Sequence, residues 1–344
     1  MTDLETKLKN IRAGRYQRSD FIIADAKDGD MGSGVTATGF IGSGTRQRRR
    51  TRAEFLDLIQ AIVEQGVVDI MLTSVSNLEQ LNKRGVFTGS KVKPAFRAND
   101  TTDCWGGVRH ARYPKHPSQP FRSANLARAV YGTPTPAPGQ AVTGTDLCLY
   151  SVTFLNDVAA DTAALEEFAR FRDEAAAIGL TYFYEVFNPN VETGLTREQT
   201  GEFVNDCILR SLAGLTQAER PQFLKIVYNG AGALEELASF DPDLVVGVLG
   251  GGAGTTRDTF ELMSQAERHG ARVALFGRKI NLAEAPLVLL TLMRQVTDGA
   301  LAPEEAVRAY HGELQKLDIR PTRSLDEDRV ITEDVLKAAS LKAA

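Results

Sequence analysis

Cysteine and histidine are scarce: three of the first (Cys104, Cys148, Cys207) and four of the second in 344 residues. Three scattered cysteines exclude a disulfide framework or a zinc knuckle, and no two histidines stand at a ligand-like spacing. The expectation is a protein that needs no metal and no cofactor. Long hydrophobic runs are missing too. No stretch approaches the roughly 18–20 apolar residues of a membrane helix, and the opening Met1-Thr-Asp-Leu-Glu-Thr-Lys7 lacks the apolar core of a secretion signal. Nor does one sign of charge dominate. Forty basic against 44 acidic residues leave a formal charge of −4, which gives nucleic acid no global attraction. These absences point to a cytoplasmic protein with a small-molecule partner and neither nucleic acid nor membrane.

What the chain does have is an alternation. Short apolar runs recur at 20–27, 67–74, 93–99, 146–154, 181–188, 222–229, 244–249 and 272–276. Runs of this kind read as strands of a parallel sheet, buried on both faces. Between them the periodicity predicts helices at 53–65, 76–84, 162–178, 197–213, 231–239, 256–269 and 283–297, with a further one near 303–316. Eight strand–helix units without a dinucleotide fingerprint after the first strand predict the α/β class. They favour a single (β/α)8 TIM barrel over a doubly wound sheet. We divide the chain into an N-terminal arm or helix (1–19), the barrel (20–300) and a C-terminal helical extension (301–344). Residues 101–144, after the third strand, break the rhythm and read as a long insertion, either a lid or an inter-subunit arm.

Polar residues inside apolar strands are the candidates for chemistry. In Phe223-Leu-Lys-Ile-Val-Tyr-Asn-Gly230, Lys225 sits near the middle of a buried run. Desolvation there frees an amine to act as a nucleophile on a carbonyl; the plainer alternative is a lysine snorkelling between sheet and helix. In Thr181-Tyr-Phe-Tyr-Glu-Val-Phe-Asn188, Glu185 shares a face with Phe183 and Phe187. A carboxylate among aromatics is expected to have a raised pKa and to carry protons near neutrality, unless it only partners a nearby cation. The first strand ends in Asp25-Ala-Lys27, a third signal at the barrel's C-terminal rim.

An anion site is the fourth signal. The seventh strand runs into Gly250-Gly-Gly-Ala-Gly254 and then a helix start at Thr255-Thr256-Arg257, and the eighth ends in Phe276-Gly-Arg278. Glycine amides and helix starts bind anions, and the loops after strands 7 and 8 are where barrels of this kind hold phosphate. Gly250, Gly251, Gly252, Gly277 and Arg278 are therefore expected to hold a phosphate ester, with Arg97 and Arg109 as candidates for a second anionic end. The basic run Arg46-Gln-Arg-Arg-Arg-Thr-Arg52 reads as a solvated helix entrance or as guanidinium groups reaching a phosphate at the mouth.

Taken together, these residues resemble the Schiff-base (class I) aldolases of barrel type, which include tagatose-bisphosphate, archaeal-type fructose-bisphosphate and deoxyribose-phosphate aldolases. The likeness is motif by motif: Asp25 and Lys27 ending strand 1, Glu185 within strand 5, Lys225 within strand 6, Gly277-Arg278 after strand 8. It implies that Lys225 forms the iminium, Glu185 shuttles the proton, and Asp25 positions Lys225 or the substrate. Gly251, Gly252 and Arg278 would hold the phosphate, and the protein would be a homo-oligomer. Strand 4 departs from the pattern, since Leu147-Cys-Leu-Tyr-Ser-Val152 carries no lysine. Two other classes stay open: a phosphate-binding barrel isomerase or epimerase without a covalent step, and a barrel that binds without catalysing.

Overall fold

A computed structural model describes residues 3–42 and 47–340, with side chains up to 337. Eight parallel strands close into a barrel: β1 (Ile22–Lys27), β2 (Ile70–Thr73), β3 (Lys93–Arg97), β4 (Leu147–Thr153), β5 (Thr181–Phe187), β6 (Leu224–Ile226), β7 (Gly247–Leu249) and β8 (Val273–Phe276). Each strand pairs with its neighbour in sequence, and β1 pairs with β8 to complete the ring. The expected (β/α)8 architecture, with its insertion after β3 and its extra C-terminal helices, is the architecture found.

Alternation along the strands splits the apolar residues into two layers. Ile22, Ala24, Ile70, Leu72, Ala95, Leu147, Leu149, Phe183, Phe223, Val273 and Leu275 fill the lumen. Ile23, Met71, Phe96, Tyr150, Tyr182, Tyr184 and Phe276 face the surrounding helices. The N-terminal residues form a helix, Asp3–Arg12, whose Leu4 and Leu8 join the lumenal cluster. Lys7 reaches Asp69 and the carbonyl of Phe21, and Arg12 donates to the carbonyl of Gln222. Those partners precede β2, β1 and β6, so this helix closes the barrel at the end opposite the strands' C-termini.

Two departures from the sequence expectation have clear causes. The helix expected at 283–297 begins three residues later and spans Pro286–Thr297. Proline lacks the amide an interior position would use and suits a first helical turn, so it starts a helix here. The insertion carries its own structure: Asp100–Thr101 pairs antiparallel with Pro120–Phe121, and a helix spans Leu126–Tyr131. Trp105 packs edge-on against Tyr113 and Phe121. Its turn Thr102–Gly107 lies on the segment after β1, where Gly32 faces the carbonyl of Cys104 and Gly107 faces Ser33. Side chains at either glycine would push the two loops apart.

The C-terminal extension is tied to the helix Thr256–Arg268, which follows β7. Asp258 accepts hydrogen bonds from the amides of Thr255, Thr332 and Glu333 and from the Thr332 hydroxyl. Burial alone would raise its pKa, but these bonds outweigh burial and hold the carboxyl below its ordinary value. A depressed carboxyl stabilises the fold above its unfolded pKa of about 3.9, and that contribution fades as pH falls further. The segment 328–336 should therefore lose amide-exchange protection as pH falls below about 3.9, before the barrel does. Unchanged protection there, after correction for intrinsic rates, would refute this.

Candidate active site

The register of β4, β5 and β6 sets three lumenal side chains in a row: Ser151 is opposite Glu185, and Glu185 is opposite Lys225. All three are buried. Lys225 Nζ forms an ion pair with Glu185 Oε1. Glu185 Oε2 accepts from Ser151 Oγ at 2.6 Å and from Arg97 Nη2 at 3.0 Å. Arg97, at the end of β3, also gives Nη1 to Ser151 Oγ at 2.7 Å and Nε to Asp28 Oδ2 at 2.5 Å. The lumenal charges thus form one chain: Asp28, Arg97, Glu185, Lys225.

Asp28 was not singled out from the sequence. It is one residue past β1, in phase with lumenal Ile22 and Ala24. Burial would raise its carboxyl, but Arg97 and then Lys225 outweigh that and hold it below the ordinary carboxylate range. Glu185 shares the lumenal face with Phe183 and Phe187, as expected, and takes up the alternative of partnering nearby cations. Tyr182 and Tyr184 point to the helices, and Phe183 stacks on Phe223 at 4.6 Å. The carboxylate itself meets two cations and a hydroxyl.

Asp25 and Lys27 are not with this group. They occupy the alternate positions of β1, in phase with helix-facing Ile23 and opposite Met71, Phe276 and Thr73. Both are fully buried and bonded to each other, with Lys27 Nζ at 2.5 Å from each Asp25 oxygen. Burial pushes the Asp25 carboxyl up and the Lys27 ammonium down, each against the attraction of the other. Lys27 touches the cavity wall, but the structure gives Asp25 no contact with Lys225.

A cavity of about 670 Å³ opens above the lumenal chain, at the C-terminal ends of the strands. Lys225, Glu185, Arg97 and Asp28 form its floor, and Gly250, Gly251, Gly277 and Arg278 line one side. Gly252 lies outside the lining, and so does Arg109, which is exposed on the insertion. Arg97 lines the cavity, yet two carboxylates already neutralise its guanidinium, so it is not a free anion ligand. The helix start at Thr255–Arg257 is also taken: the Thr255 amide donates to Asp258 and the Thr256 amide to Asp328 at 2.8 Å. Of the residues expected to hold an anion, Gly250, Gly251, Gly277 and Arg278 line the cavity without a carboxylate partner among the described residues.

The basic run divides. Arg46 falls outside the described residues. Arg48 pairs with Glu54, Arg50 donates to the carbonyl of Thr38, and Arg52 donates to Asn77 and Ser76. Arg49 lines the cavity from a hairpin, Phe40–Ile41 with Arg48–Arg49, with its guanidinium 5.2 Å from the Phe40 ring. No group of three or more histidine, cysteine, aspartate or glutamate side chains suited to a metal ion occurs among the described residues. No described helix is long and apolar enough to cross a membrane.

No family profile matches the chain, and no curated protein sequence does. Solved structures do resemble it. An archaeal fructose 1,6-bisphosphate aldolase is 14% identical at a TM-score of 0.58, covering 86% of this chain and 99% of its own. Another, captured with its catalytic lysine covalently bound to the carbinolamine intermediate, is 15% identical at a TM-score of 0.60, covering 86% and 100%. A protein of Corynebacterium glutamicum is 16% identical at a TM-score of 0.54, covering 86% and 94%. At these identities the likeness is one of fold: the chain is a (β/α)8 TIM barrel.

Proposed function

We propose that this protein is a class I aldolase, a metal-independent lyase that reversibly cleaves a carbon–carbon bond of a phosphorylated ketose through a Schiff base on Lys225. One observation carries the reading: a buried lysine at the cavity floor, its Nζ in contact with a carboxylate that two further donors hold in place. Similar structures include aldolases whose catalytic lysine is known in covalent form, which supports the same chemistry.

The amine reacts in its unprotonated form. Lys225 Nζ then adds to the ketone carbon and the carbonyl oxygen takes up a proton, giving a carbinolamine. Loss of its hydroxyl as water leaves the iminium. Glu185 next takes the proton of the hydroxyl on the far carbon of the bond to be broken. That oxygen's electrons form an aldehyde, and the electrons of the breaking bond move into the iminium as an enamine. The covalent path replaces one high barrier with several lower ones. Protonation of the enamine and addition of water return the ketone and the free amine. Arg97 and Ser151 fix the carboxylate, and Asp28 holds Arg97 in turn, a positioning chain.

Borohydride reduction in the presence of dihydroxyacetone phosphate, followed by peptide mass spectrometry, tests this. The expected result is a stable adduct on the peptide containing Lys225. No adduct there would refute the covalent step and favour an isomerase-like barrel. Glu185→Gln keeps hydrogen-bonding capacity but not the base, so it should lower turnover by about 10²–10⁴-fold while adduct formation persists. Equal loss of both would remove Glu185 as the proton shuttle.

A further inference from the structure

The cavity is electrostatically lopsided, and this bears on what it binds. Its lumenal cations are already matched: Lys225 by Glu185, Arg97 by Glu185 and Asp28. Arg278 and Arg49 differ. Both line the cavity, and neither has a carboxylate partner among the described residues. They belong to one side, because Arg278 follows β8, Arg49 follows β1, and β1 pairs with β8. Gly250 and Gly251 follow β7, the next strand round. The hairpin bearing Arg49 is anchored to the same region: Asn281, on the turn Arg278–Asn281, donates to the carbonyl of Ala37 at 2.6 Å.

The insertion after β3 brings a group of the other sign to the end of β4, across the ring from β8. Asp103 lines the cavity there, its oxygens held by Ser118 Oγ at 2.9 Å and Thr153 Oγ1 at 2.8 Å. Cys104, Gly106 and Gly107 beside it carry no positive charge. An anion placed at this end would face a fixed carboxylate, whereas a sugar hydroxyl could donate to it.

We infer that the substrate is a ketose carrying a single phosphate, held between Arg278 and Arg49, with its uncharged polyol end directed to Asp103. This rests on the reading of the cavity as an aldolase site and specifies that site's substrate class. Arg49 is then a specificity residue supplied by the hairpin, and a second phosphate is disfavoured.

Hexitol phosphates test the inference apart from the chemistry, since without a carbonyl they cannot form an imine. Binding of glucitol 6-phosphate and glucitol 1,6-bisphosphate to the full chain is measured by calorimetry. The monophosphate should bind about tenfold or more tightly than the bisphosphate, and Arg49→Ala should weaken it by about tenfold, the scale of one charge-assisted hydrogen bond. Asp103→Asn should narrow the gap between the two ligands. A bisphosphate that binds as tightly as the monophosphate or more so overturns the single-phosphate assignment. Monophosphate binding unchanged in both Arg49→Ala and Arg49→Glu overturns the role of Arg49. Borohydride trapping runs in parallel. A Lys225 adduct with bisphosphate preference refutes only this inference, and monophosphate preference without an adduct refutes only the Schiff base.

Discussion

Lys225→Met is expected to abolish both reductive trapping and carbon–carbon cleavage while the barrel stays folded. The two effects separate because Glu185 has three partners. Removing the ammonium leaves its carboxylate bonded to Arg97 and Ser151, so it does not become an unpaired buried charge. The stability cost should stay at the level of one charged hydrogen bond, about 1.5–3 kcal/mol. Activity should fall by several orders of magnitude, as it does when a covalent nucleophile is lost. Lys225→Arg sharpens the comparison. A guanidinium can keep the contact with Glu185 but does not deprotonate, so it cannot add to a carbonyl. Chemical denaturation and turnover on the same samples decide the matter. A Lys225→Arg protein that still cleaves substrate would end the Schiff-base proposal, whatever its stability.

The architecture was legible because parallel barrel strands have a plain signature. Each is a short run rich in Ile, Val and Leu, set off by an amphipathic helix, and eight repeats leave few alternatives. Lys225 and Glu185 could be picked out because a charge inside such a run is conspicuous, and the structure sets them side by side. The same property hid the facing of β1. A strand buried on both sides shows no polar–apolar alternation, so nothing in Phe21-Ile-Ile-Ala-Asp-Ala-Lys-Asp28 says which residues face the lumen. Asp25 and Lys27 drew attention, although Asp28 is the carboxylate beside Arg97. Long-range partners were hidden too. That Asp328, 72 residues away, takes the amide of Thr256 depends on how the extension folds back, which local pattern does not encode. Arg49 was visible only as one of a run of arginines, and the hairpin that brings it to the cavity has just two residues in each strand.

The Asp25–Lys27 pair supports a prediction of comparable size, on stability. Each side chain is fully buried and each has the other as its charged hydrogen-bond partner. Lys27→Met leaves a lone carboxylate in the layer between sheet and helices, which should cost about 3–5 kcal/mol. The cost should shrink as pH falls. Burial already raises the Asp25 carboxyl, and without Lys27 nothing opposes that rise. Its folded pKa then exceeds the unfolded one, so protonation favours the fold and stability is lost as pH increases through the folded value. The double variant Asp25→Leu/Lys27→Met should recover most of the loss. Its neighbours across the strands include Met71 and Phe276, and apolar replacements of buried pairs are often neutral or stabilising. Urea denaturation of the wild type, both single variants and the double variant gives the coupling energy directly. Because the pair faces away from the lumen, the double variant should still form the borohydride adduct at Lys225. A stable double variant that has lost the adduct would mean that these two residues act in the site after all, through β1.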